Sequence, residues 1–256
     1  MNGNESIIEL NDVNVVHEDA PDVVLVRGVN WRIALGEFWV VGGDQASGKT
    51  SLLATAACLN RPGSGTVRLF GRELAQATEA EQVNWRRRIG FVYEHGGRLF
   101  SHLTVAENVA LPLEYHVEAD DATLFARVDE LLTLAELRPV RDLMPSRLNV
   151  RLQQRVGLVR ALAVPTEVLF LDNPLGGLGA RDMRWWLAFL RDLQSRHRAK
   201  GSPLTIAVAC GEFRGWLDVA SHFAIIENGE FRVIGGRDQV LASQEPAVKE
   251  FVASAI

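Results

Sequence analysis

Gly43-Asp44-Gln45-Ala46-Ser47-Gly48-Lys49-Thr50 reads G-x-x-x-x-G-K-T, and Ser51 follows it. Residues of these types at this spacing bind phosphate. Glycine permits a tight turn in which successive backbone N–H groups converge on phosphate oxygens. Lys49 reaches the terminal phosphates, and the Thr50 hydroxyl suits a Mg²⁺ ion. Such a loop works only between a strand and the N-terminus of a helix, whose dipole adds positive potential. Glu37-Phe38-Trp39-Val40-Val41 is a short apolar strand upstream. Downstream, Ser51-Leu52-Leu53-Ala54-Thr55-Ala56-Ala57-Cys58-Leu59 has no breaker and reads as a buried helix. A second strand ending in an acid is needed to hold the metal. Val168-Leu169-Phe170-Leu171-Asp172 supplies it.

The remaining pattern gives these groups a frame. Ile7–Leu10, Val13–Val16 and Val29–Ile33 read as strand ahead of the loop. Arg61-Pro62-Gly63-Ser64-Gly65 is a turn, followed by strands at Thr66–Gly71 and Ile89–Tyr93. From Glu94 to about Arg160 the pattern becomes helical, with Asp120 and Asp121 as cap candidates for a helix over 121–132. Strands return at Val168–Leu171 and Thr205–Ala209, separated by a helix over 181–197 in which Met183, Trp186, Leu190 and Leu193 share a face. Asn228-Gly229 predicts a hairpin between Ala224–Ile226 and Phe231–Ile234. Strands alternating with helices indicate an α/β core with a parallel sheet.

Composition narrows the class. A chain of 256 residues that is 47% apolar can bury a substantial core. A net charge of −5 argues against nucleic acid as the main partner, and Arg86-Arg87-Arg88 reads as a solvated helix face. Cys58 and Cys210 lie in apolar segments far apart, as reduced core residues of a cytosolic protein do. Met1-Asn2-Gly3-Asn4-Glu5 is no signal peptide and no apolar run reaches spanning length, so a soluble chain is expected.

With Asp172 placed, the chain resembles the ABC-type ATPases, the nucleotide-binding subunits of membrane transporters, nearly end to end. Phe91-Val92-Tyr93-Glu94 is similar to that family's Q-loop, and Thr104–Leu113 to the segment after it. Pro145-Ser146-Arg147-Leu148 leads into the signature position, and Gln154–Leu162 follows it. The wording from Phe100 to Pro112 resembles importer subunits and the lipid-transporting Mla/Mce branch. The resemblance implies a P-loop NTPase (RecA-like) α/β core with a parallel sheet, an N-terminal antiparallel β part and an inserted α-helical subdomain. One ABC domain would cover 1–256, with 1–93 and 161–256 as core and 94–160 as the helical signature subdomain. The implied cofactors are ATP and Mg²⁺. Gly43, Asp44, Gln45, Ala46, Ser47, Gly48, Lys49, Thr50 and Ser51 would hold the phosphates, His17 would stack on adenine, and Thr50, Asp172 and Glu94 would serve the metal. The implied partners are an integral membrane permease, engaged from the cytoplasmic face, and a second ATP-binding subunit.

The sequence departs from the family pattern at chosen places. The family has a glutamate after the Walker B aspartate to polarise the attacking water; here it is Asn173. An amide accepts no proton at neutral pH, and loss of a general base typically costs about 10²–10⁴ in rate. The signature L-S-G-G-Q becomes Leu148-Asn149-Val150-Arg151-Leu152, where side chains replace glycines that allow close approach. The switch histidine falls at Gly211, the Q-loop glutamine at Glu94 and the D-loop acid at Gly179. The reading is a subunit that binds MgATP with weak or absent hydrolysis. Its competitors are an active ATPase, with Glu94 or Arg151 as a displaced base or phosphate clamp, and a soluble nucleotide-sensing adaptor.

Overall fold

The computed structural model describes residues 6–94, 98–117 and 120–253. Among them, ten strands join in one sheet. The N-terminal part is antiparallel: β1 (Ser6–His17) pairs with β2 (Ala20–Ala34) and with β4 (Ser64–Leu69), and β5 (Arg72–Glu73) adds an edge. The central part is parallel, with β3 (Phe38–Gly43) between β8 (Thr205–Cys210) and β9 (His222–Glu227), and with β7 (Val168–Asp172) and β6 (Ile89–Val92) beyond β8. β10 (Glu230–Gly235) runs antiparallel to β9 and joins the two parts through Arg27 of β2.

The central strands are apolar on both faces because helices cover both. Phe38, Val40, Leu169, Leu171, Ile206 and Val208 face one core; Trp39, Val41, Val168, Phe170, Ala207 and Ala209 face the other. The second core receives α1 (Lys49–Ala56) and Trp85 of α2 (Glu79–Arg88). The first receives α3 (Val105–His116), α4 (Asp121–Leu134), α5 (Val150–Ala161) and α6 (Ala180–Ala199). On α6 the buried stripe is Trp186, Phe189, Leu190 and Leu193, the spacing of one helix face. α7 (Arg237–Ala242) and α8 (Pro246–Ala253) close the chain and bury Val240, Val248 and Phe251.

Several boundaries move relative to the sequence expectation. The strand expected at 29–33 is the second half of a long β2, whose Pro21, Asp22 and Gly28 hide its first half. The helix after the loop begins at Lys49 and ends at Ala56, because Cys58 turns left-handed at φ 55°. β4 stops at Leu69, where Phe70 (φ 52°) and Gly71 (φ 77°) make the turn. The Asn228-Gly229 hairpin forms as expected, with φ 53° and 76°. Asp120 caps α4 by accepting the Thr123 N–H at 2.7 Å. Arg86 and Arg87 are exposed at the end of α2, whereas Arg88 pairs with Glu167 through two bonds of 2.6 and 2.8 Å. Both cysteines are free, and burial pushes both thiols up to about 12.

Candidate nucleotide site

β3 and α1 place the Gly43–Ser51 loop at the C-terminal end of the parallel strands, where open α/β sheets bind ligands. Two glycines are sterically required. A Cβ on Gly43 would lie 2.5 Å from Ser47 Oγ and 3.1 Å from the Ile226 carbonyl. Gly48 caps α1 at φ 95°, and a Cβ there would come within 2.9 Å of Val26 Cγ2. The Lys49 ammonium donates to the carbonyls of Gly43 and Asp44, both at 2.6 Å, and to Ser47 Oγ at 3.3 Å. Burial pulls its pKa below the usual lysine value, while surrounding acidic groups, Asp172 and Glu94 among them, oppose the shift.

Asp172 ends β7 and is buried, and its Oδ2 accepts the Thr50 hydroxyl at 2.9 Å. Burial pushes its carboxyl above the usual range; the Thr50 hydrogen bond opposes this and the charge of Glu94 adds to it. A dication would relieve that strain on the charged form. A hydroxyl and a carboxylate in contact are hard oxygen donors, so Thr50 and Asp172 fit Mg²⁺, which takes few protein ligands and completes its shell with phosphate and water.

The register of β6 on β7 pairs Val92 with Leu171. Two residues further along the same parallel direction, Glu94 and Asn173 meet, and the Asn173 amide donates to Glu94 Oε1. Asn173 sits at φ 45°, a left-handed conformation that asparagine tolerates better than longer side chains. Its N–H donates to the Ala209 carbonyl at 2.9 Å. A Cβ on Gly176 would fall 2.3 Å from Asn173 Nδ2, so that glycine leaves room for the amide. The Glu94 backbone N–H favours the charged form of the Asp172 carboxyl, opposing the effect of burial. Two positions that depart separately from the family pattern are therefore one hydrogen-bonded unit.

The other departures lie apart. Gly211 follows β8, and a Cβ there would meet nothing within 4 Å. Gly179 caps α6. Asn149 caps α5, its Oδ1 accepting the Leu152 N–H at 3.0 Å, and Val150 is exposed in the first turn. Leu148 is buried just before it. Arg151 pairs with Asp182 of α6 at 3.3 Å. Arg155 reaches the same carboxylate at 3.5 Å, bonds Glu136 at 2.8 Å and lies 3.7 Å over the Trp185 ring. Arg151 thus belongs to a cation network that ties α5 to α6. His17 is exposed at the end of β1, its Nδ1 accepting the Asp19 N–H at 3.1 Å.

Sequence reasoning overlooked Asn108. It is fully buried on α3, accepts the Phe100 N–H at 2.9 Å, and donates to the carbonyls of Phe100, Leu103 and Thr104 at 3.1, 3.1 and 2.9 Å. It holds the 100–104 segment on which Phe100 is exposed. A polar residue on the apolar stripe of α3, between Val105, Val109 and Leu113, was the available signal.

This fold and this glycine-rich loop between β3 and α1 are those of a P-loop ATP-binding cassette. Residues 26–176, more than half of the chain, match the ABC transporter family, and the chain belongs to that family. The sulfate/thiosulfate import ATP-binding protein CysA of Caulobacter vibrioides is 38% identical over 222 residues, covering 86% of this chain and 62% of that protein. The methionine import ATP-binding protein MetN of Bordetella pertussis is 33% identical over 230 residues, covering 90% of this chain and 62% of its own length. The chain thus spans about three fifths of these relatives. Among solved structures, the dimeric post-hydrolysis state of the cassette MJ0796 with ADP and phosphate superposes with TM-score 0.78 at 25% identity, over 90% of this chain and 99% of that one. A second dimeric structure of MJ0796 gives 0.77 at 27% identity, over 87% and 95%.

Proposed function

We propose that the chain is the ATP-binding subunit of an ABC importer. It binds MgATP, docks on an integral membrane permease at the cytoplasmic face and works beside a second ATP-binding subunit. The observation that carries this reading is the loop geometry: Lys49 held over the turn and Thr50 bonded to Asp172. The import relatives support the direction of transport, and their solutes favour small polar cargo over the lipid-transporting branch. The packing of α3 on α4 and α5 supports a helical unit over 94–160 set against the nucleotide core. Among the described residues no helix is long and apolar enough to cross a membrane, which fits attachment through a permease.

Turnover is slow in this reading. Asn173 cannot take a proton, Gly211 offers no switch side chain, and Val150 and Arg151 stand where a partner's γ-phosphate would need close backbone approach. Titration calorimetry with MgATP tests the binding half: Lys49→Ala should weaken affinity by at least tenfold, and equal affinity in variant and parent would overturn it. An active site with a displaced base is the second reading, and the Asn173–Glu94 contact favours a limited form of it.

A further inference from the structure

We propose that the hollow between α1, β4 and α2 is a second ligand site, built for a small organic oxyanion and independent of the nucleotide reading. The hollow measures about 550 Å³, within the range of pockets that hold metabolite-sized ligands. None of its lining residues belongs to the Gly43–Ser51 loop; its wall starts at Cys58, past the C-terminal end of the helix that the loop opens. Asn60 and Arg61 follow α1, Thr66 lies on β4, and Gln82 and Arg86 lie on α2. A ligand there would touch the antiparallel part of the sheet and two helices together.

Charge identifies the ligand class. Arg61 and Arg86 line the hollow, and among the described residues neither has a hydrogen bond or an ion pair. Neighbouring arginines differ: Arg72 pairs with Glu81 at 3.5 Å and Arg88 with Glu167 at 2.6 Å. The carboxylate in the wall, Glu73, accepts from Gln76 Nε2 at 3.1 Å and neutralises neither arginine. Two guanidiniums against one carboxylate make the hollow net positive, in a chain whose net charge is −5. Guanidinium forks match carboxylate and phosphate oxygens. The carbonyls at the end of α1, which would repel an anion, are already occupied. Leu53 accepts the Ala57 N–H, Ala54 those of Leu59 and Asn60, and Thr55 that of Cys58. Val67 and Leu74 supply an apolar wall for a carbon skeleton, and Glu73 favours an anion that also brings a hydroxyl donor. Burial pushes the Cys58 thiol up to about 12, so the hollow offers no ready nucleophile and serves binding.

Thermal unfolding of the full-length chain tests the site with two probes, citrate and glucose 6-phosphate, each compared with potassium chloride at matched ionic strength. A bound anion stabilises by mass action, so the melting temperature should rise and saturate in the millimolar range. A rise with citrate alone marks a carboxylate ligand and a rise with glucose 6-phosphate alone a phosphate; either supports the site. Arg61→Gln and Arg86→Gln should each weaken the apparent affinity about tenfold or more, because each removes a charged donor. Lys49→Ala should leave that affinity unchanged. Absence of a saturating rise with both probes would overturn the proposal. So would a rise of equal strength in the two arginine variants, or one lost only in Lys49→Ala, which would place the anion in the nucleotide loop.

Discussion

At residue 173 the backbone decides which repairs can work. Asn173→Glu returns the carboxylate that the family pattern has there, yet it must adopt φ 45° and faces Glu94. A left-handed conformation costs a non-glycine residue about 1–2 kcal/mol, and two carboxylates in contact disfavour joint ionisation. Gly211 and the signature remain unrepaired in that variant, and groups that act as a unit gain little when restored one at a time. Steady-state phosphate release from Asn173→Glu should therefore stay within about tenfold of the parent. Brisk turnover would show that the base alone was limiting. Gly211 differs in kind, because a Cβ there would meet nothing within 4 Å.

At the scale of the element, short polar constructions fix α2 and α3. Thr78 with Glu81 and Thr104 with Glu107 are reciprocal caps, each glutamate accepting from both the N–H and the hydroxyl of its threonine. Those hydrogen bonds hold both carboxyls below the usual glutamate range. A depressed folded value means that the stabilisation is complete above the unfolded pKa of about 4.3 and fades as pH falls through the lower folded value. Glu107→Gln should flatten the loss of stability in that acid window, measured by urea unfolding at stepped pH; an unchanged slope would contradict the cap. Asn108 is a different device on the same helix. Asn108→Ala removes the side-chain partner of four backbone groups and should destabilise by about 1–3 kcal/mol. Hydrogen exchange should show 100–104 losing protection first.

For the whole molecule, the question is what covers the helical side. Phe100 is 45% exposed, whereas Leu103 is half-buried. Under the importer reading Phe100 is an apolar contact for the permease. Phe100→Asp should release the chain from solubilised membranes while leaving the circular dichroism spectrum and MgATP affinity intact. Retained co-purification would place the permease contact elsewhere. The same substitution at Leu103 should cost folding stability, because charge there must leave water.

The glycine-rich loop between strand and helix, the acid that ends β7, the alternating α/β order and the Asn-Gly hairpin were all legible in the chain. Each is a local pattern: glycines at turn positions, an acid ending an apolar run, a dipeptide with positive φ. The first half of β2 was not, because its polar residues and Gly28 break the alternation and it is held extended by pairing with β1 and, at Arg27, with β10. The cation network of Arg151, Arg155 and Asp182 was hidden too, since α5 and α6 are adjacent only in space. The clearest division falls at Glu94 and Asn173. The sequence determined that one position carries a carboxylate and the other an amide, and read alone they were two independent losses. Only the tertiary structure put them in contact, because parallel pairing of β6 with β7 fixes which residues leave the sheet side by side. Chain separation carries no trace of that register; the hydrogen-bonded ladder and the buried faces that lock it do.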